Sequence, residues 1–160
     1  MKIHYLPGVG FSVDDKLVKW GETRDIVRKA LSMKFKPNDG VIEVPDDKIF
    51  YWRDIYDDFR TNFTEDSRLK ELEVHGNVKI LVAGVTLVFE KDISEFINEL
   101  KKLGHRPVET DDGNFFFENL KMVIATSASM GGDGDGLSYF YAGDDVSHII
   151  DEINQLRDGI

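Results

Sequence analysis

The sequence predicts an α+β fold made of a tandem pseudo-repeat: a strand–helix–antiparallel-meander unit used twice, helices on one face of the sheet, and an extra C-terminal helix. Three observations predict it. Trp20, Thr23, Val27 and Leu31 align without a gap on Phe89, Asp92, Phe96 and Leu100. PDDK-IFYW (45–52) resembles DDGN-FFFE (111–118). TEDSR before LKELEVHG (64–76) answers MGGDGDG before LSYFYAG (130–143). A period of roughly 65–70 residues is too long for a solenoid unit and too short for two independent domains, so residues 1–160 read as one domain of two half-repeats, about 1–77 and 78–160.

The first helix is expected from Thr23 to Phe35, capped by Thr23, with Ile26, Val27, Ala30 and Leu31 as its apolar stripe. The second starts at the cap Asp92 with Glu95 as capping-box partner. It buries Ile93, Phe96, Ile97, Leu100 and Leu103, and stops at Gly104. The third, Asp145 to Asp158, presents Val146, Ile149, Ile150, Ile153 and Leu156; it has no counterpart after the first copy and should close the end of the core. Between helices the period shortens. Ile55, Phe59 and Phe63 alternate with Tyr56, Asp58, Arg60 and Asn62 as a half-buried strand with one wet face, and KMVIATSA (121–128), apolar on both faces, reads as a central strand.

Composition narrows the function classes. At 160 residues with 41% hydrophobic content the chain can bury a core. It has no cysteine, which removes disulfides, thiolate metal sites and Cys nucleophiles and fits a cytoplasmic protein. The longest apolar stretch, VKILVAGVTLVF (78–89), is too short to span a membrane, and the N-terminus lacks the apolar region of a signal peptide. Net charge is −10, unevenly spread: residues 1–77 carry 13 Lys and Arg against 15 Asp and Glu, residues 78–160 carry 7 against 15. Such a surface repels nucleic acid and anionic lipid and suits a basic protein partner.

Motifs for chemistry are sparse. His4, His75, His105 and His148 stand at no metal-ligand spacing, and no serine lies in a nucleophile elbow. GGDGDG (131–136) joins two expected strands, has no lysine and carries two carboxylates, so it does not cradle phosphate; it reads as a solvated hairpin loop. If FFF and KMVIATSA are separate antiparallel strands, the loops at 111–114 and 131–136 share one end of the meander, bringing Asp111, Asp112, Asp133 and Asp135 together. The first copy offers Asp46, Asp47, Glu65 and Asp66 in the same way. These loops could serve a cationic partner or calcium. The run IFYWRDIYDDF (49–59) adds Trp52, Tyr56 and Asp58 as candidate contacts, aromatic and charged groups of the kind interfaces favour.

KIHYLPGVG (2–10) followed by KWGETRDIVRKAL (19–31) resembles a group of small bacterial proteins, several of which act as immunity proteins paired with secreted toxins. The likeness continues through the Tyr/Asp-rich strand and GVTLVF (84–89). It implies an immunity protein; with the acidic surface and the lack of a catalytic set, the expectation is a non-enzymatic inhibitor that neutralises a basic toxin or enzyme, with no cofactor. The alternative is a small calcium- or ligand-binding domain using the acidic loops.

Overall fold

The computed structural model describes residues 1–158, with the side chains of all of them but Asp111 and residues 156–158. The fold is mixed α+β and mostly sheet, three helices and fourteen strands among the described residues.

Five strands form a small sheet. β1 (Lys2–Leu6) lies at its centre, antiparallel to β2 (Gly10–Val13) and parallel to β9 (Lys79–Val82). β3 (Lys16–Lys19) and β10 (Val85–Val88) close the hairpins at the two edges. The apolar stretch at 78–89 is therefore the β9–β10 hairpin, its turn made by Ala83 and Gly84 at positive φ.

Nine strands form the second sheet. β11 (Val108–Asp111), β12 (Asn114–Phe117), β13 (Met122–Thr126) and β14 (Leu137–Gly143) run across one half, all antiparallel. β14 pairs with β8 (Leu69–Val74), followed by β7 (Phe59–Phe63), β6 (Asp47–Ile55) and the two-residue β4 (Lys36–Pro37). β5 (Gly40–Val44) pairs only with β6. β13 is interior, as its two-sided apolar pattern requires. The expected strand through 55–63 is instead a hairpin: β6 ends at Ile55, and the Tyr56 amide donates to the Phe59 carbonyl across the turn.

One core fills the space between the sheets, with Tyr5, Phe11, Phe63, Leu72, Phe117 and Phe140 among its fully buried members. Tyr5 meets Phe140 edge to face at 5.7 Å, and its hydroxyl donates to the Leu120 carbonyl at 2.5 Å. Burying a phenol on such contacts supplies apolar area without leaving the hydroxyl unpaired.

α1 (Arg24–Leu31) starts at Thr23, whose hydroxyl accepts the Ile26 amide, and stops at Ser32 in the left-handed region, before the expected Phe35. It packs along β3 with Val27 and Leu31 inward, while Ile26 is turned out to solvent. The buried stripe therefore includes Arg24 and Arg28, whose partners are described below. α2 (Ile93–Lys102) packs along β10 with Ile93, Phe96, Ile97 and Leu100 inward. Asp92 caps it by accepting the Ser94 amide at 2.9 Å, and Gly104 follows at positive φ. α3 (Ser147–Asp158) does not close the end of the core. Val146 and Ile153 cover Phe116 and Tyr141 on the outer face of the nine-stranded sheet, in a separate apolar cluster.

The chain before α1 and before α2 is tied to the large sheet by similar backbone hydrogen bonds. Gly21 donates to Leu69 O, Leu69 to Glu22 O and Arg24 to Ser67 O. Glu90 likewise donates to Leu137 O, Leu137 to Lys91 O and Ile93 to Asp135 O.

Candidate binding surfaces

The first candidate surface lies where β11–β14 meet the start of α2. β12 and β13 are separate antiparallel strands, joined by a short 3-10 turn at Glu118–Leu120, so the loops after β11 and after β13 fall at one end of the sheet. Hydrogen bonds of backbone and side chain bind them together. The Thr126 amide donates to Gly113 O, and Asn114 Nδ2 donates to Ser129 Oγ at 2.5 Å. Gly113, at φ +86°, sits so close that a Cβ would lie 2.2 Å from Thr126 Oγ1. The glycine-rich loop is folded, with a 3-10 turn at Ala128–Met130 and the Gly132 amide donating to Ser127 O. The Ile93 amide bonds Asp135 O, which ties that loop to the first turn of α2.

These contacts enclose a cleft of about 450 Å³. Its lining carries four carboxylates, Asp92, Glu109, Asp112 and Asp135, beside apolar Ile93, Ile97 and Phe115. Of the expected acids, Asp112 and Asp135 therefore share one site. Asp133 is exposed and lies outside the lining, and the Asp111 side chain lies outside the described residues. Asp92 and Glu109 are additions. Asp92 announced itself only as a helix cap, and Glu109 as one acid among thirty. Part of this charge is held: Asp92 also accepts the Ser94 hydroxyl at 2.7 Å, and these Ser94 bonds keep its carboxyl below the usual range. Among the described residues no group of three or more His, Asp or Glu side chains is placed to hold a metal ion.

In the first half the acidic loops part. β8 and β14 are antiparallel, so the loop before β8 (Glu65, Asp66) sits at the opposite end of the sheet from Asp135. Asp46 and Asp47 are carried further off, because β6 pairs with β7 only from Trp52 onward. The five residues 47–51 run beyond the sheet as an arm with β5, roughly 17 Å long at about 3.3 Å per residue.

The wet face of β7 and β8 is a closed network. Arg60 holds Glu73 through Nε (2.6 Å) and Nη2 (3.1 Å), and Asn62 bridges Glu71 and Glu73. Tyr139 donates to Glu73 and Tyr141 to Glu71, each at 2.5 Å. Burial alone would raise Glu73, but hydrogen bonds from Arg60, Tyr139 and Asn62 leave its carboxyl depressed. Burial and the adjacent Glu73 push the Tyr139 hydroxyl up. These carboxylates are engaged inside the protein and leave little charge for a basic partner. Glu73→Gln should cost about 1–3 kcal/mol in urea unfolding, a charged hydrogen-bonding centre being lost. Glu65→Gln in the exposed loop should stay within about 0.5 kcal/mol.

The aromatic run divides. Tyr56 is only 3% exposed and its ring stacks on Phe59 at 4.6 Å, so it is a core residue and not a surface contact. Asp58 is half-buried in the β6–β7 turn. Trp52 is half-buried at the root of the arm, with Phe50 stacked beside it at 6.2 Å. The three do not form one patch.

Beneath the arm's root lies a charge cluster that the sequence pattern did not announce. Asp54, fully buried on β6, accepts from Arg24 Nη2 (2.7 Å), Arg28 Nε (2.8 Å) and Arg28 Nη2 (2.8 Å). Arg24 also clasps Asp39 with both terminal nitrogens, at 3.0 and 2.9 Å, and Asp39 accepts the Arg53 amide. Arg28 lies 4.4 Å over the Phe35 ring and Arg24 5.1 Å over Phe63. Two arginines four residues apart on the Val27–Leu31 face were the available signal, since a buried cation needs a buried anion.

No protein-family model matches the chain, and no curated protein or solved structure matches it either. No helix among the described residues is long and apolar enough to cross a membrane.

Proposed function

We propose that this chain is a non-enzymatic protein-binding module, an immunity or inhibitor protein that neutralises a basic toxin or enzyme. The observation that carries this reading is the cleft at the start of α2. Four carboxylates beside Ile93, Ile97 and Phe115 suit a lysine or arginine, whose aliphatic stem lies on apolar surface while its charge meets the acids. The net charge of the second half adds long-range attraction for a cationic partner. The calcium alternative finds no ligand geometry among the described residues.

The architecture behind the cleft is read here as two copies of one unit. The β2–β3 hairpin and α1 start 69 residues before the β9–β10 hairpin and α2. Their bonds to the loops before β8 and β14 follow the same scheme. The β8–β14 register is symmetric about the Glu73–Tyr141 pair, with Val74 opposite Phe140 and Leu72 opposite Ala142. On this reading Arg60 and Glu73 take the places of Val123 and Tyr141. The open half of the outer face is therefore polar, and the half under α3 apolar.

The test is capture from lysate of the source cells with tagged protein, at low and at moderate salt. The comparison is with the triple variant Glu109→Gln, Asp112→Asn, Asp135→Asn, which leaves the Asp92 cap intact. One basic protein should be recovered at low salt, lost at moderate salt, and recovered about tenfold less by the variant. Equal capture by both proteins, or none at either salt, would remove the cleft from the account.

A further inference from the structure

We propose that the β5–β6 arm is a homodimerisation element: two copies pair antiparallel along β5, with Ile42 of each on the twofold axis. The arm is apolar on both faces and has no core beneath it. Val41 is 43% exposed, Ile42 50%, Val44 38%, Ile49 50% and Phe50 57%. Ile42 and Ile49 are cross-strand neighbours on one face, Val41 and Phe50 on the other. A two-stranded ribbon in water is marginal, and three or more strands are needed for independent stability. Pairing two arms makes four.

The free edge is built for this partner. The two-residue turn at Pro45–Asp46 makes Val44 and Asp47 the pair that exchanges backbone bonds. By alternation Gly40, Ile42 and Val44 spend their amides on β6, while Val41 and Glu43 present theirs outward. Pairing about Ile42 sets Val41 against Glu43 of the second copy, and Glu43 against its Val41, so all four outward-facing residues exchange bonds. Ile42 then meets Ile42 at the close, non-bonded position. The strand GVIEV carries no lysine or proline to blunt that edge, and its one charge, Glu43, is met by Lys48 across the arm.

Charge fits as well. The arm's tip carries Glu43, Asp46 and Asp47 with Lys48, which lies 3.8 Å from Glu43, and its root carries exposed Lys34 and Lys36 with Asp39, whose charge Arg24 meets. Antiparallel pairing lays each acidic tip beside the other copy's basic root. The arm's roughly 17 Å reach exceeds the Debye length of about 8 Å at physiological salt, so the two acidic bodies stay screened from one another.

The test uses the absence of native cysteine. Under mild oxidation Ile42→Cys should form a disulfide dimer at least tenfold faster than Ile49→Cys. Non-bonded antiparallel pairs have Cα atoms about 4.5 Å apart, within disulfide reach. In sedimentation equilibrium the wild-type chain should reach twice its monomer mass. Val41→Pro, which removes an outward amide but none used by β6, should weaken that association at least tenfold. A wild-type chain monomeric to about 1 mM, equal crosslinking at positions 42 and 49, or a dimer indifferent to Val41→Pro would each overturn the proposal.

Discussion

Replacing Asp54 by alanine is expected to lower the free energy of unfolding by about 3–5 kcal/mol, the cost of removing one partner from a buried ion pair. The carboxylate is inaccessible to water, and the side chains of Arg24 and Arg28 are 12% and 26% exposed. Without Asp54 both guanidinium groups lose their buried anion; Arg24 keeps Asp39 and the Arg53 carbonyl, while Arg28 is left over the Phe35 ring. The triple variant Arg24→Met, Arg28→Met, Asp54→Leu should regain most of the loss, because apolar groups of similar volume often replace buried ion pairs at little cost. α2 carries buried Ile93 and Ile97 at the positions 69 residues beyond the two arginines. Urea unfolding of the three proteins decides the matter; a loss below about 1 kcal/mol for the single variant would refute it.

The same cluster sets a pH dependence. Burial pushes the Asp54 carboxyl up, but the hydrogen bonds and charges of Arg28 and Arg24 outweigh it and leave it depressed; Asp39 is depressed by Arg24. A carboxyl with a folded pKa below its unfolded value of about 3.9 stabilises the fold above that pH, and the stabilisation is lost as pH falls through the folded value. Below about pH 4 the wild-type chain should therefore lose stability more steeply than the triple variant.

Phe140→Ala should cost about 3–5 kcal/mol. Phe140 is fully buried on β14, paired with Val74 at the seam of the large sheet, and its ring meets Tyr5 from the small one. The deletion opens a cavity that both sheets line. Tyr5 is pinned by its bond to Leu120 O and cannot swing in to fill it. At about 2–4 °C per kcal/mol for a chain of this size, the melting temperature should fall by roughly 6–20 °C. A fall of only 2 or 3 °C would show that the sheets close over the gap.

The elements legible in the sequence were those set by neighbours along the chain. Thr23 and Asp92 cap helices because a short side-chain oxygen meets an amide two or three residues on. Continuous apolar character marks 78–89 as a buried strand or strand pair, and the turn at Ala83–Gly84 decides for the pair. Period-two counting failed at 55–63 because Tyr56 and Phe59 flank a turn, yet both point into the core. In the cleft, Asp112 and Asp135 were legible from the order of a meander. Asp92 and Glu109 join them only because α2 packs against that end of the sheet. The stripe on α1 was misjudged by hydropathy: Arg24 and Arg28 lie inward where Ile26 does not, since Asp54 waits for them. The arm's exposure could not be read from its aromatic run, because it depends on where β7 stops.

The seam between β8 and β14 has a consequence for how the protein is made. Leu72 pairs with Ala142, 70 residues later in the chain. At about 5–20 residues per second on a ribosome, β8 waits roughly 4–14 s for its neighbour. Lys2 waits longer still for Lys79, and such distant pairings fold slowly. During that interval β8 is an edge, open to any passing strand, and Glu71 and Glu73 are the charges that guard it. Arg60 and Asn62 already hold Glu73 and Glu71 within the β7–β8 hairpin, and Tyr141 and Tyr139 add their hydrogen bonds when β14 arrives.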